Sequence, residues 1–335
     1  MKFGALDVHK SFIQVCVLDR ESESCEDLRI DSSRESLREL KELLSETERV
    51  ALEASSHWGW VVDELEGMGL EPVLSHPSKT KAIGSAKIKT DKIDARMLAY
   101  LLSAGLLPEA HIPSREVREQ RSYLRYRFVL VTARTALKNR IHAILASYGL
   151  RSPYKDAFCN SGLKWLRSRK LGELHQAQID GYLEIIETLD SQIAKVDNWT
   201  RPMAEQDTQA RLLMSIKGVS YYSALLILAE IDGSWRFSSA KHLVSYAGLC
   251  PSTRSSGGKL RHGHITRCGS GFLRWILIQA AQKATWKSHP MHKFYARIKS
   301  KKGHAVAKTA VARKLLESIY QMLKQGVEFD ARAWA

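Results

Sequence analysis

From Lys2 to Ala54 the sequence reads as three strands, a helix and a fourth strand, an order that few folds accommodate. Residues 2–8 are short and apolar, and His9-Lys10 then turn the chain into 12–18, whose β-branched residues predict a strand paired with the first. Residues 27–31 make a third strand. Ser33 is placed to cap a helix in which Leu37, Leu40, Leu43 and Leu44 recur at helical spacing, and residues 49–54 form the next strand. A helix over 58–68, a strand at 72–75, a basic glycine-containing loop and a helix opening at Asp91 complete the series. The order implies a mixed sheet flanked by helices.

Acidic residues fall at telling places on this map. Thr90 is placed to cap the last helix, and Asp91 and Asp94 in its first turn lie three residues apart, on one helical face. Two negative charges aimed at one point are unfavourable unless a cation sits there. Alternatively, they form a solvated first turn that complements the helix dipole. Asp7 ends the first strand and Glu53 ends the strand after the first helix. In a ribonuclease-H-type sheet those two strands are neighbours, so Asp7, Glu53, Asp91 and Asp94 would share one site. Hard oxygen donors favour Mg2+ or Mn2+. Two such ions roughly 4 Å apart would clamp a phosphodiester.

Charge points the same way. The net charge is +15 and the pI about 9.6, which makes a polyanion the natural partner. Residues 1–107 carry 14 basic and 19 acidic side chains, leaving 37 and 17 for the remainder. No Asp or Glu occurs between Asp232 and Glu317, while Lys and Arg recur throughout. Nucleic-acid contact is therefore expected. The five cysteines show no Cys-x-x-Cys pairing, which argues against a zinc site or disulfide framework and fits a reducing cytoplasm. No apolar run approaches the ~20 residues needed to span a bilayer, so a membrane role is not expected.

Beyond the first sheet the pattern becomes helical. Residues 114–149 read as one helix of about 50 Å. A second, over 173–199, spaces Tyr182, Ile186, Leu189, Ile193 and Val196 by three and four, as a coiled coil or a plain helical hairpin requires. Arg121, Arg125, Arg127, Arg134 and their basic neighbours make this connector either a backbone-binding surface or a solvated face. Ile216-Lys217-Gly218-Val219 resembles a helix-hairpin-helix turn, in which Lys217 and Gly218 would meet a phosphate backbone, although a tight turn without a ligand fits as well. In 247–259, Pro251, the small hydroxyl residues and Gly257-Gly258 argue against a regular helix or strand. Lys259, Arg261 and Arg267 follow closely. Such a loop lets phosphate approach, its cations favour a pentavalent phosphorus transition state, and a hydroxyl there can be a nucleophile. It is also the composition of a flexible linker. Residues 283–302 interleave Trp286, Phe294 and Tyr295 with lysine and arginine, the mixture of a nucleic-acid groove.

Taken together, these segments resemble the IS110/IS1111-type transposases, relatives of the Piv DNA invertase. The resemblance rests on Leu6-Asp7-Val8, Leu52-Glu53-Ala54, the block from Lys89-Thr90-Asp91 through Asp94-Ala95-Arg96-Met97-Leu98-Ala99, Ile216-x-Gly218-Val219, Ala247-Gly248-Leu249-x-Pro251 before Ser256-Gly257, and the tail from Gly326 to Ala331. It implies an α/β plus α chain. A RuvC-like DEDD domain would occupy 1–108, a helical coiled-coil connector 109–200, and a mainly helical transposase domain with a serine loop 201–335. It also implies Asp7, Glu53, Asp91 and Asp94 as metal ligands and Ser256 as nucleophile, with Ser255 the competing assignment. The implied partners are donor and target DNA, a noncoding bridge RNA and further copies of the chain, as a dimer or tetramer, in a prokaryotic cytoplasm at the nucleoid. The alternatives are a RuvC-like structure-specific nuclease using activated water, an actin-like ATPase or sugar kinase, and a non-catalytic nucleic-acid-binding protein.

Overall fold

The computed structural model describes residues 1–84, 90–256 and 258–330, and of Arg254, Ser256, Lys259, Leu260 and His262 the backbone. Lys89, Gly257 and Ala331, which belong to the motifs above, lie outside the described residues. The chain forms two compact units, Met1–Arg115 and Glu116–Ala335. No described helix is long and apolar enough to cross a membrane.

The first unit is built on a six-stranded mixed sheet. In chain order it holds β1 (Lys2–Val8), β2 (Phe12–Asp19), β3 (Ser24–Asp31), α1 (Arg34–Glu39), α2 (Lys41–Ser45), β4 (Thr47–Glu53), α3 (Trp58–Gly67), β5 (Pro72–Ser75), α4 (Pro77–Ile83), α5 (Asp91–Ser103) and β6 (Glu109–Ala110). The strands lie in the order β3-β2-β1-β4-β5-β6. β1, β2 and β3 form an antiparallel meander, whereas β4 runs parallel to both β1 and β5. Two details depart from the sequence reading. The single helix expected after Ser33 breaks at Leu40, whose N–H bonds back to Leu37 in a tight turn, so Leu37 and Leu44 both enter the core. The basic loop before Asp91 contains a helix, α4, because Pro77 occupies its first turn, where proline's fixed φ and missing N–H cost nothing.

Period-two alternation sends the two halves of each strand's side chains to opposite faces. On one face Leu6, Val8, Val50 and Leu52 pack with Leu37, Leu44, Val61 and Leu65 from α1–α3. On the other, Phe3, Ala5, Ala51 and Val73 pack with Ala95, Leu98 and Ala99 of α5. The small residues at positions 5, 51, 95 and 99 let α5 lie close to the sheet.

The second unit is almost entirely helical. Its elements are α6 (Arg115–Ser147), α7 (Asn160–Arg167), α8 (Glu173–Gln206), α9 (Thr208–Met214), α10 (Tyr221–Ile231), α11 (Ala240–Tyr246), β7 (Pro251–Ser256), β8 (Lys259–Ile265), α12 (Gly271–Ala281), α13 (His292–Lys302) and α14 (His304–Gln325). α6 and α8 run antiparallel, as the ion pairs Arg127–Asp197 and Arg134–Asp190 require, and Ile141, Leu145, Ile179 and Leu183 are buried at the far end with Leu166 of α7. α8 continues through Pro202 rather than ending near Trp199. The main core gathers α9–α14 around Leu226, Ile227, Leu277 and Leu315.

Candidate functional site

Asp7 and Glu53 acquire their positions from the same alternation that builds the sheet. Phe3 and Ala5 face α5, so Asp7, two residues on, faces the same side at the end of β1. Ala51 likewise sets the face for Glu53 at the end of β4. The parallel register pairs Leu6 with Leu52, and one further residue brings Asp7 alongside Glu53. α5 crosses that face with its N-terminus above the strand ends. Thr90 caps it, its hydroxyl accepting from the Ile93 N–H at 3.3 Å, and Asp91 and Asp94 occupy the first turn. Asp7, Glu53, Asp91 and Asp94 line one cleft of about 540 Å³ together with His9 and Lys10. Asp7, Glu53 and Asp94 also border an adjoining space of about 300 Å³.

Among the described residues, the set of donors that meets most closely is not the four carboxylates. Asp7, His9 and Asp91 bring one ligand atom each within 4.8 Å of one another. His9 Nε2 lies 3.0 Å from Asp7 Oδ2 and 3.3 Å from Asp91 Oδ1. Glu53 and Asp94 line the cleft outside that trio. Burial pushes the Asp7 carboxyl above its ordinary range; neighbouring His9 pulls it back, and the charges of Asp91 and Asp94 push it up again. A half-buried carboxylate opposed by two like charges is a group that a divalent cation stabilises, so the donor set fits such an ion.

Asp27 on β3 holds α5 in place, a role the sequence reading missed. Its carboxylate, 8% exposed, accepts from Arg96 Nε at 3.0 Å and Nη2, and pairs with Lys92 Nζ at 3.1 Å. Burial would raise the Asp27 pKa, but the bonds from Arg96 and Lys92 outweigh it and hold the carboxyl below its usual range. Lys92 and Arg96, four apart on the helix, are the available signal. Nothing in the spacing of β3 names their partner.

The expected serine loop is a β-hairpin. Residues 251–256 form β7, antiparallel to β8, with Ser255 opposite Leu260 and Ser256 opposite Lys259. Serine and threonine accept extended backbone readily when paired. Gly258 takes φ +74° at the tip, a conformation that suits glycine in a short hairpin turn. Ser256 thus ends a strand two residues before Gly258, and Ser255 beside it is exposed. The hairpin's base is fixed by Thr266 N–H donating to Cys250 O at 2.8 Å and Arg267 N–H to Gly248 O at 3.2 Å. Arg261 and Arg267 are exposed, Arg267 with a left-handed φ of +57°. A Cβ on Gly269 would collide with the Tyr246 carbonyl oxygen, which explains glycine where the chain leaves the hairpin.

Beneath this base lies Glu230, fully buried on α10. It accepts from Arg125 at 2.8 and 2.9 Å and from the Ser270 hydroxyl at 2.8 Å, tying α6 to the start of α12. Arg121 donates to the Ala229 carbonyl at 2.6 Å, and Arg127 pairs with Asp197 at 2.6 Å. Arg121, Arg125, Arg127 and Arg134 are therefore committed inside the unit rather than presented as a phosphate surface, because α8 and α10 supply acidic groups and carbonyls opposite them. At the glycine turn, Lys217 Nζ donates to the Ser288 hydroxyl at 2.9 Å, and Gly218, φ +108°, sits against Ala280 and Lys283 with no room for a Cβ. On α13, Arg297, Lys301 and Lys302 border a basic cleft of about 360 Å³.

Comparison with known proteins adds an independent line. Residues 5–150 match a DEDD transposase model of the IS110 type, described as a transposase, and residues 210–296 match the model of the transposase IS116/IS110/IS902 family. The chain is 27% identical over 290 residues to a probable family 20 transposase of Pseudomonas aeruginosa, covering 83% of this chain and 82% of the relative. It is 27% identical over 232 residues to the transposase for insertion sequence element IS1111A of Coxiella burnetii, covering 68% and 62%. It is 32% identical over 150 residues to the pilin gene-inverting protein of Moraxella bovis, covering 44% and 46%. The match also spans 53% of a further relative, from Sinorhizobium fredii, so several relatives are covered over less than two thirds of their length. All four carboxylates fall in the first matched interval, and Lys217, Gly218, Ser256, Lys259, Arg261 and Arg267 in the second.

Proposed function

This chain belongs to the IS110 family of transposases, and from that premise we propose that it is the recombinase of an insertion sequence, cutting and rejoining DNA strands. Ser256 is the proposed nucleophile. Asp7, Glu53, Asp91 and Asp94 are the proposed holders of Mg2+ or Mn2+. The observation that carries this reading is the shared cleft. Carboxylates from two strand ends and one helix start converge on it, and Asp7 is kept there against the combined cost of burial and like charge.

In the proposed reaction the Ser256 hydroxyl oxygen bonds to phosphorus as the bond to the 3′ oxygen breaks. The hydroxyl proton leaves and the departing 3′ oxygen gains one, giving a 5′-phosphoserine link and a free 3′ hydroxyl. Attack by another strand's 3′ hydroxyl reverses the step and releases the serine, so the broken bond is stored without ATP. When bound, the divalent ion supplies Lewis-acid stabilisation of charge on the phosphate and the departing oxygen. Lys259, Arg261 and Arg267 are proposed to hold the phosphate beside the hairpin, and Lys217 with Gly218 to meet DNA backbone through the turn. A noncoding bridge RNA that pairs with donor and target DNA is a proposed partner because the family resemblance implies it, and the acid-free basic stretch after Asp232 accommodates a polyanion of that kind. Strand exchange needs several cuts in concert, which supports a dimer or tetramer assembled through a coiled-coil connector at 109–200, between a RuvC-like domain at 1–108 and a transposase domain at 201–335.

The test is a denaturing gel of labelled DNA incubated with the protein and Mn2+. A covalent protein–DNA adduct is expected, absent from Ser256→Ala and retained by Ser255→Ala. Equal adduct from Ser256→Ala rejects the nucleophile. Nicked DNA with free 5′ phosphate and no adduct favours hydrolysis by activated water instead.

A further inference from the structure

We propose that His9 is a nitrogen ligand of the divalent ion, sharing it with Asp7 and Asp91, so that this site takes Mn2+ in preference to Mg2+. The inference rests on the reading that the cleft holds such an ion, and it adds a donor that a four-carboxylate site does not have.

Geometry is the first support. Around an ion with ligands at about 2.1 Å, adjacent donors of an octahedron stand about 3 Å apart. His9 Nε2 stands 3.0 Å from Asp7 Oδ2 and 3.3 Å from Asp91 Oδ1, the spacing of neighbouring corners around one ion. His9 Nε2 makes an ordinary hydrogen bond with Asp7, but that bond leaves the Asp91 oxygen at 3.3 Å without one from the same ring nitrogen, whereas an ion at the meeting point of the three donors satisfies all of them.

The second support is that the ring is held from behind. His9 stacks on Phe12 with centroids 4.5 Å apart and planes 27° from parallel. From the neighbouring strand β3, the Arg29 guanidinium lies 3.7 Å from the Phe12 ring centroid. The His9 N–H donates to the Phe12 carbonyl at 2.9 Å, closing the turn between β1 and β2. These contacts orient the imidazole edge toward the cleft whether or not anything binds there, and preorganisation of that kind is what a ligand needs.

Ligand chemistry then sets selectivity. Imidazole nitrogen suits transition ions, while Mg2+ prefers oxygen and water throughout. Replacing one oxygen by the His9 nitrogen tilts the site toward Mn2+, and His9 and Asp91, each about half exposed, leave the outer side of the ion open to phosphate.

The experiment is pulsed electron paramagnetic resonance on the full chain with one equivalent of Mn2+, paired with calorimetric titration of Mn2+ and Mg2+. Echo modulation from a directly bonded nitrogen is expected. It should vanish in His9→Gln and persist in His57→Gln, which alters the other histidine lining the cleft. Mn2+ affinity should fall on the order of tenfold in His9→Gln, with Mg2+ affinity changing much less. His9→Asn provides a second substitution, and circular dichroism checks folding. Mn2+ bound with no nitrogen modulation, or modulation that survives in His9→Gln, overturns the assignment of His9 and leaves the metal centre standing. Failure of the parent chain to bind Mn2+ stoichiometrically overturns the metal centre and this inference with it.

Discussion

Arg125→Met should destabilise the helical unit severely, and the structure sets the size of the effect. Glu230, with 1% of its side chain exposed, accepts both guanidinium bonds from Arg125 and one from Ser270. Removing Arg125 leaves a buried carboxylate with a single hydroxyl donor, a loss of about 3–5 kcal/mol. The reverse substitution is milder. In Glu230→Gln the Arg125 side chain, 38% exposed, recovers water, and the amide keeps one acceptor, for about 1–2 kcal/mol. The double variant Arg125→Met with Glu230→Leu removes both charges and should lie within about 2 kcal/mol of the parent, the Ser270 hydroxyl having lost its acceptor. Two units unfold in this chain, so a global transition would mix them. Native-state hydrogen exchange on α10 reads the helical unit alone, and 3–5 kcal/mol corresponds to a fall of roughly 10²–10⁴ in protection. A single variant costing less than about 1 kcal/mol, or a double variant no more stable than Arg125→Met, would refute the claim that the buried Glu230 carboxylate, paired with Arg125, fixes the hairpin's base to α6.

Two further perturbations probe the same unit. Gly269→Ala places a side chain at φ +75° and against the Tyr246 carbonyl, and should cost at least about 2 kcal/mol, read as faster amide exchange across β7 and β8; an unchanged exchange rate rejects that packing. His289 takes its pH sensitivity from burial, which pushes the imidazole pKa down, while its Nε2 contacts the Lys217 carbonyl at 3.0 Å and its Nδ1 accepts from the Met291 N–H at 3.1 Å. With the folded pKa depressed, the native state binds fewer protons, so this contribution is present above the unfolded value of about 6.5 and is lost as pH falls through it toward the folded value. The protection factor at the Lys217–Gly218 turn, corrected for the intrinsic pH dependence of amide exchange, should therefore fall below about pH 6.5 in the parent and lose that dependence in His289→Gln; an identical protection profile in both sinks the argument.

The carboxylate cleft is legible in the sequence because each member is fixed by a local periodicity. Strand alternation places Asp7 with Ala5 and Glu53 with Ala51, and helical spacing places Asp91 with Asp94; the sequence carries each pattern on its own. What brings the groups together is one parallel pairing, β1 with β4, which follows from the strand and helix order. His9 is harder to see. It lies past the end of β1, where alternation lapses, and its direction depends on the Phe12 stack formed after the chain reverses.

Long-range pairing explains the remaining misreadings. Arg125 reads as either a phosphate-facing or a solvated residue because its partner, Glu230, is 105 residues away and looks like one polar residue in an apolar helix. Residues 247–259 read as loop because of Pro251, a run of small hydroxyl residues and Gly257-Gly258, yet ladder pairing between β7 and β8 outweighs propensity. That correction bears on mechanism. A serine on a flexible linker would sample many positions and lose entropy on meeting a phosphate. Ser256 instead sits in a register set against Lys259, on a hairpin whose base is bonded to Cys250 and Gly248. Its backbone is thereby restrained before any substrate arrives, so if Ser256 is the nucleophile, as proposed, the entropy cost of positioning it is carried by folding rather than by the reaction.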